Sequence, residues 1–130
     1  METPLGKPLR IDPMVVGEYL FFDSKISGFK DQLYRLFIAT SQTTIDDIYD
    51  ALRISDYETI TFRAHKLKGA SYTVGAMLLA EHCGILEAGA SCRDYDSVNS
   101  RLREIERERD LVAASLVEFL HAGAASRRPT

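Results

Sequence analysis

The sequence predicts an all-α chain, an antiparallel four-helix bundle with a short additional helix at the N-terminus. All prolines lie near the two ends of the chain, at Pro4, Pro8, Pro13 and Pro129, so every residue from 14 to 128 keeps the backbone N–H that a helix needs. The alternation typical of strands is absent, and apolar residues recur at helical spacing instead. With 130 residues, 45% of them hydrophobic, the chain has the size and composition of one domain with a real core.

The first two helices follow from their end signals and apolar spacing. A short helix is expected from Pro13, a residue type suited to the first helical position, to about Phe22. Asp23-Ser24 then turns the chain, and Gly28 serves as the pivot. The second helix is expected over about 29–52, with apolar residues on one face. These residues are Phe29, Leu33, Phe37, Ile45, Ile48 and Leu52.

The third and fourth helices are bounded by a capping motif and by turns. The run Ser55-Asp-Tyr-Glu58 fits a capping box, with serine at the N-cap and glutamate three residues later. The helix that it opens is expected to end near Gly75. A further helix is expected from Met77 to about Ala88, and residues 89–94 are expected to turn. The fourth helix presents Leu79, Cys83 and Leu86 to the core.

The last helix is expected over about 97–120. Its apolar residues follow a near-heptad stripe of Val98, Leu102, Ile105, Val112, Leu116 and Phe119. Arg109 interrupts the stripe for no reason visible in the sequence, and the charged run 101–110 is interpreted as the solvated face. We expect residues 11–121 to form the bundle, with residues 1–10 and 122–130 as flexible ends.

Bulk properties exclude several classes of function. The net charge of -3 gives no overall basic field that would draw the chain to nucleic acid or to an anionic membrane. No apolar run approaches the ~20 residues that span a bilayer. Cys83 and Cys92 lack zinc-type spacing, so we interpret them as reduced thiols of a cytosolic or nuclear protein. Met1 favours a freestanding chain, and a monomer is expected.

The segment from Ala64 to Ala76 carries the chemistry. On a helix that turns about 100° per residue, one narrow arc gathers apolar and small residues into a buried stripe. These residues are Ile60, Ala64, Leu67, Ser71 and Val74. His65 points about 140° away from the centre of that stripe, towards solvent. An exposed histidine is usually without function, so its interpretation depends on its neighbours.

The neighbours of His65 on its own side of the helix are Thr61, Lys68, Gly69 and Tyr72. A glycine within a helix costs roughly 1 kcal/mol relative to alanine, and Gly69 lies one turn after the histidine with no turn indicated nearby. A bare patch of backbone there lets a partner approach closely. Lys68 adds a mobile ammonium within reach of an anion on the ring, and Arg63 and Lys66 make the surroundings basic.

These residues indicate phosphoryl chemistry without a nucleotide site. A neutral imidazole is a nucleophile near pH 7. The exposed ring of His65 can attack the acyl phosphate of a phospho-aspartate, and Lys68 can offset the phosphoryl charge. The sequence has no P-loop, dinucleotide fingerprint or kinase catalytic-loop pattern. We therefore expect a phosphoryl carrier that is not an enzyme acting on ATP.

The run His65-Lys-Leu-Lys-Gly69, followed by Ser71 and Gly75, resembles the signature of the histidine-containing phosphotransfer (HPt) family. In that family a histidine, a lysine three residues later and a glycine four residues later recur. The helices on either side are similar as well, so the resemblance covers about residues 11–120. Ala70 stands where the family often has serine.

The resemblance implies a role for each residue of the motif. His65 would be the phosphoacceptor, Lys68 its charge partner and Gly69 the clearance residue for docking. The implied partners are receiver domains of a hybrid sensor histidine kinase and of response regulators in a multistep phosphorelay. The resemblance implies no cofactor in the domain itself, and Mg²⁺ on the partner receiver.

The segment 11–29 is similar to freestanding eukaryotic members, in which a short helix forms part of the apolar receiver-docking surface. Residues 14–22 could equally well only cap the bundle. Tyr72 is bulkier than the residue usual at its position, so it either narrows the docking surface or contributes to it. The docking candidates are Met14, Val15 and Phe21 on the first helix and Thr61, Lys66 and Tyr72 on the histidine helix.

Two alternatives belong to other classes. A passive helical adaptor or degenerate HPt domain would bind receivers without phosphorylation, but such a member is expected to lack His65 or Gly69. A metal-binding bundle needs inward-facing ligands, and the buried stripe of the histidine helix offers none. His82 and Cys83 point in different directions because they are adjacent on a helix, and His121 is interpreted as an ordinary residue.

Overall fold

Five α-helices make up the residues that the computed structural model describes, which are 10–23 and 28–126. The helices are α1 (Pro13–Asp23), α2 (Phe29–Arg53), α3 (Tyr57–Thr73), α4 (Met77–Ser91) and α5 (Tyr95–Ser126). No strand occurs in these two ranges, which confirms the predicted all-α class. None of the described helices is long and apolar enough to cross a membrane. The side chains of residues 22, 23 and 121–126, and the predicted turn residue Ser24, lie outside the described part.

Helices α2 to α5 form the predicted antiparallel bundle. Each of them packs on its neighbour in the chain, and α2 closes the bundle against α5. Three short links, at residues 54–56, 74–76 and 92–94, reverse the chain between helices. The short helix α1 packs on α2, which confirms the additional N-terminal helix.

The core follows the apolar stripes that the spacing predicts. All five residues of the α3 stripe are buried, and each is at most 2% exposed. On α5 the stripe is buried except for Phe119, which is half-buried. On α2 the start of the predicted face is rotated, because Tyr34 is fully buried while Phe29 and Leu33 are half-buried. Cys83 fills core space as predicted, with 0% exposure.

Aspartate side chains cap the first turns of three helices. Asp12 accepts a hydrogen bond from the N–H of Met14 at 2.9 Å, and Asp94 accepts one from Ser97 at 3.2 Å. Asp56 accepts from the N–H of Thr59 at 3.1 Å. The capping box predicted with Ser55 as its cap is therefore wrong. Ser55 has a left-handed φ of 56° in the link, and the aspartate after it satisfies the helix N-terminus.

Several predicted helix ends are displaced. Helix α4 continues to Ser91, so the turn predicted at 89–94 begins only at Cys92. Gly89 stays helical because its bare side faces α5, where a Cβ would lie 3.2 Å from Ser97 Oγ. Helix α5 begins at Tyr95 and reaches Ser126, which is longer than the predicted 97–120. Tertiary packing overrides turn propensity at these positions.

The link after α3 attaches the N-terminal segment to the bundle. Gly75 has a left-handed φ of 82°, and its carbonyl accepts a hydrogen bond from the N–H of Asp12 at 2.9 Å. A Cβ on Gly75 would lie only 3.0 Å from the Cβ of Val15. The hydroxyl of Tyr19 donates to the carbonyl of Thr73. Helix α1 is therefore fixed at the C-terminal end of the histidine helix.

Arg109 interrupts the α5 stripe because it ties α5 to α2. Its Nε donates to the hydroxyl of buried Ser41 at 2.9 Å, and its NH2 group donates to the carbonyl of Ile38. The Arg109 side chain is only 11% exposed, and it also pairs with Asp110 at 3.0 Å. Glu108 is buried as well and lies 3.3 Å from the Nε of Arg10. The interpretation of 101–110 as a wholly solvated face is therefore wrong.

Replacing Arg109 by alanine is expected to destabilise the fold by about 1–3 kcal/mol, because buried polar groups of α2 lose a charged donor. Arg107→Ala is the matched control, since the Arg107 side chain is 69% exposed and pairs with exposed Glu104. That change is expected to stay within about 0.5 kcal/mol. Urea unfolding of both variants measures the difference, and equal losses would contradict the assigned role of Arg109.

Candidate functional site

Helix α3 presents His65 on the side opposite its buried stripe. The ring is 69% exposed, whereas Ala64 and Leu67 on the other side of the helix lie in the core. The direction predicted from helical geometry is therefore the one observed. An imidazole in this position can react with a molecule that approaches from solvent.

Glu87 on α4 joins His65 to Lys68. Its Oε2 lies 2.9 Å from Nδ1 of His65, and its Oε1 accepts a hydrogen bond from Nζ of Lys68 at 3.0 Å. The carboxylate therefore uses one oxygen for each partner. Helix α4 runs antiparallel to α3, and this packing brings a residue 22 positions away into contact with the histidine.

Glu87 is ionised near neutral pH. The hydrogen bond from Lys68 is the main cause that lowers the pKa of Glu87. Burial opposes this shift, and the hydrogen bond with His65 adds a smaller lowering of the pKa. A carboxylate accepts hydrogen bonds and donates none, so the shared proton belongs to Nδ1 of His65. The lone pair then lies on Nε2, the ring nitrogen that can act as a nucleophile.

Lys68 is held in place by an ion pair, whereas the sequence predicts a mobile ammonium. Its side chain is 29% exposed and ends at the Glu87 carboxylate. The stem passes Gly84 on α4, where a Cβ would lie 3.7 Å from Lys68 Cδ. The stem therefore packs over α4 at this position. The ammonium therefore stays beside the histidine.

Gly69 leaves open space on the surface. A Cβ built on it would meet nothing within 4 Å, other than its own helix. The fold itself therefore does not require glycine at this position. Close packing of neighbouring helices is also excluded as its reason, since no neighbour lies there. Clearance for a molecule that approaches His65 stays a prediction for Gly69.

An open groove of about 520 Å³ lies beside His65 between α3 and α4. Tyr57, Thr61 and Phe62 line it from α3, and Arg93 closes it from the link after α4. The Arg93 guanidinium lies 5.7 Å from the centre of the Tyr57 ring. The groove gives the histidine a partly apolar surrounding that a partner surface could contact.

The predicted docking residues on α3 do not all lie on the face of the helix that carries His65. Tyr72 is 52% exposed, and Lys66 is exposed with its Nζ 5.5 Å from the centre of the Phe62 ring. Thr61 is half-buried, and its hydroxyl donates to the carbonyl of Tyr57 at 2.8 Å. Lys66 lines a separate groove with residues of α2, so the structure does not bring it together with Thr61 beside His65.

The docking candidates on α1 differ in exposure. Met14 is 72% exposed and Phe21 is 61% exposed. Val15 is half-buried and packs against Gly75, so it contributes to the attachment of α1. Helix α1 contacts the C-terminal end of α3, beyond Tyr72, rather than the turn that carries the histidine.

Sequence reasoning missed Glu87 and Phe62. No local signal identifies Glu87, because its contact depends on how α4 is placed against α3. Phe62 is different, since it is 59% exposed and lies one turn before Lys66 on the outward face. The helical projection that predicts an exposed His65 also predicts that the Phe62 side chain is exposed. Among the described residues, no group of three or more His, Cys, Asp or Glu side chains could hold a metal ion.

Comparison with known proteins identifies the family. The model of the Hpt domain matches residues 32–120, which include the whole motif from His65 to Gly75. The chain belongs to the Hpt domain family. Hpt domains are phosphotransfer domains of two-component phosphorelays, and the family implies interaction with receiver domains. Such domains typically lack a kinase catalytic domain.

A solved structure has the same fold as this Hpt domain. The crystal structure of histidine-containing phosphotransfer protein B (HptB) from Pseudomonas aeruginosa PAO1 matches with a TM-score of 0.76 and 24% sequence identity. The match covers 84% of this chain and 92% of that chain. No curated protein matches the sequence.

Alanine is expected to have opposite effects on stability at two glycines of this Hpt domain. Gly69→Ala should stabilise it by roughly 0.5–1 kcal/mol, because helix propensity improves and the space is empty. Gly75→Ala should destabilise it by at least about 1 kcal/mol, because of the left-handed φ and the close Val15 side chain. Thermal and urea unfolding measure both, and a loss of stability in Gly69→Ala would contradict the open space.

Acid is expected to remove the stabilising contribution of Glu87. A carboxyl whose pKa is lower in the folded state stabilises fully above its unfolded pKa, and this is lost as pH falls through the folded value. The urea midpoint of the native chain should therefore fall more than that of Glu87→Gln between about pH 6 and pH 3. If the urea midpoints of the two proteins fall in parallel over that range, the lowered pKa of Glu87 contributes nothing to the stability of the fold.

Proposed function

We propose that this Hpt domain accepts a phosphoryl group from a phospho-aspartate of one receiver domain onto Nε2 of His65 and passes it to another receiver. The single observation that supports this most is the state of the His65 ring. The ring is exposed, its Nδ1 is hydrogen-bonded to one oxygen of Glu87, and the other oxygen of Glu87 holds the ammonium of Lys68. The Hpt family makes phosphoryl transfer the expected chemistry of such a histidine.

The transfer step balances without a cofactor on this chain. The Nε2 lone pair attacks phosphorus, the P–O bond to the aspartate breaks, and its electron pair stays with the departing carboxylate. The Nδ1 proton remains on the ring throughout, so the product is a phosphorylated imidazolium. In the second transfer a receiver aspartate attacks phosphorus, and the N–P electron pair returns to Nε2. We expect Mg²⁺ on the receiver and none on this domain.

Lys68 is proposed as the charge partner of the phosphoryl group. Its ammonium lies on the histidine side of α3, where Glu87 holds it 3.0 Å from Oε1. A phosphoryl group on Nε2 adds negative charge at the same exposed surface, and a fixed cation offsets that charge in both directions of transfer. Lys68 itself forms no bond to phosphorus.

The receiver is proposed to dock over the outward face of α3 and the exposed end of α1. The bare backbone at Gly69 admits it closely, Tyr72 and Lys66 contact it on α3, and Met14 and Phe21 contact it on α1. Thr61 lies at the rim of the groove beside the histidine. Val15 supports this surface from beneath. The domain acts as a monomer, because a dimer through this face would exclude the receiver. We expect it in the cytosol or nucleus.

A passive adaptor that binds receivers without phosphorylation is the alternative. It would need the same docking surface but no free imidazole nitrogen. The paired Glu87 and Lys68 favour the phosphotransfer function, since docking alone gives no reason for an ion pair at the histidine.

Transfer of labelled phosphoryl from a panel of phosphorylated receiver domains tests the proposal. The native chain is expected to acquire an acid-labile label, and His65→Gln is expected to acquire none. His82→Gln is the matched control and should be labelled like the native chain, since Arg101 engages the His82 ring. A folded native chain that no receiver labels, or a label that persists in His65→Gln, would refute it.

Gly69→Ala separates docking from folding in the same assay. Its stability should not fall, yet transfer should slow by about tenfold or more, because the added methyl group stands where a receiver approaches. Transfer at the native rate would contradict the proposed clearance.

A further inference from the structure

A residue with left-handed backbone closes each of the three links between the bundle helices. Ser55 after α2, Gly75 after α3 and Arg93 after α4 have φ of 56°, 82° and 55°. In each link the N–H of that residue and the N–H of the next donate to carbonyls in the last turn of the helix. Glycine is the usual residue at this position, because it has no Cβ to crowd the backbone. The backbone of the last link therefore favours glycine, yet the sequence has arginine there.

The side chain of Arg93 turns back over the start of α3. Its guanidinium lies 5.7 Å from the centre of the Tyr57 ring, in a cation–π contact that uses none of its five N–H donors. Within the described ranges the guanidinium forms no hydrogen bond and no ion pair. It does not bind the last carbonyls of α4, which a basic residue after a helix often does. Arg93 therefore offers exposed donors that the fold does not use.

One groove joins Arg93 to the phosphoacceptor histidine. The groove has a volume of about 520 Å³, and both Arg93 and His65 line it. Buried Tyr57 and Ala90 supply apolar surface, and Phe62 adds an aromatic ring that is 59% exposed. Because the groove is open, a partner the size of a domain that docks on His65 also meets Arg93.

We propose that Arg93 is a docking residue that binds a carboxylate side chain of the receiver domain and so helps to set which receivers dock. The proposal rests on the proposed function and adds to it the chemistry of the partner surface. A planar guanidinium matches a carboxylate through two parallel N–H···O bonds. Mg²⁺ in proteins is bound through carboxylates, so the Mg²⁺ expected on the receiver implies acidic side chains around its phospho-aspartate.

The chain itself does not satisfy the guanidinium. Glu87 lines the same groove, but its two oxygens are engaged by His65 and Lys68. Glu58 also lines the groove and is exposed, and it forms no ion pair in the described part of the chain. An acidic side chain that docked near Glu58 would be repelled, whereas one near Arg93 would be attracted. The groove therefore restricts where a receiver carboxylate can lie.

The experiment compares the full chain with Arg93→Gln and Arg93→Lys in calorimetric binding of receiver domains and in phosphoryl transfer from them. Arg93→Gln is expected to weaken binding, and to raise the receiver concentration for half-maximal transfer, by about tenfold, as for loss of a charge-assisted hydrogen bond. The maximal rate should not change. Arg93→Lys should recover only part of the loss, because it keeps the charge without the fork. Arg103→Gln is the matched control, since it removes the same charge from an exposed position on α5.

Double-mutant cycles identify the carboxylate on the receiver. Each exposed Asp or Glu of a receiver that binds is changed in turn to Asn or Gln. One of these changes is expected to cost affinity with the native chain but not with Arg93→Gln. If no receiver carboxylate couples with Arg93, the inference is wrong.

Arg93→Gly separates docking from folding. Its urea midpoint is expected not to fall, because glycine suits the left-handed φ, whereas its binding of receivers should weaken as in Arg93→Gln. A clear fall of the midpoint would show that the fold itself requires the arginine and would overturn the inference. Native affinity in Arg93→Gln would overturn it as well.

Labelling by phosphoramidate, a small donor, distinguishes docking from a direct effect on His65. The Arg93 variants are expected to be labelled at the native rate, because a small donor does not need the groove. Slower labelling of Arg93→Gln would mean that Arg93 acts on the phosphoryl group, which would contradict the docking role. If receivers bind but none labels the native chain, the proposed function fails, and the binding measurements still decide the role of Arg93.

Discussion

Burial of one narrow stripe of α3 fixes the rotation of that helix about its axis, and the arrangement of the site depends on this rotation. Ala64 and Leu67 pack into the core, so His65 between them has to point outward. Packing of α4 on the flank of α3 then brings Glu87 within 2.9 Å of the histidine ring. A rotation of α3 by one residue, about 100°, would bury the histidine and expose the core.

The periodicity of apolar residues was sufficient to predict the helices, the buried stripe of α3 and the exposure of His65. These features depend on the geometry of a single helix, which the sequence encodes locally. The cap of α3 was predicted wrongly because Ser55 and Asp56 are neighbouring polar residues that can both cap a helix. The end of α4 was predicted too early because packing on α5 keeps Gly89 helical. Glu87 was missed since its role arises only when two helices meet.

Two residues depart from the sequence pattern that a helical bundle predicts. Arg109 occupies a position where the stripe predicts an apolar residue, and it donates hydrogen bonds to Ser41 and Ile38 of α2. Gly69 lowers the helix propensity of α3 at a position where the fold would accept alanine. The first departure from the pattern is explained inside the molecule. Nothing inside the described part of the molecule explains the second, which lies one turn from the histidine.

Direct identification of the phosphorylated atom tests the central claim, that Nε2 of His65 is the phosphoacceptor. The chain can be phosphorylated with phosphoramidate, a small donor that needs no receiver, and examined by ¹⁵N and ³¹P NMR. The account predicts a single N–P bond at Nε2 of His65, with the proton retained on Nδ1. A phosphoryl group on Nδ1 of His65, or on another histidine while His65 stays unmodified, would contradict it.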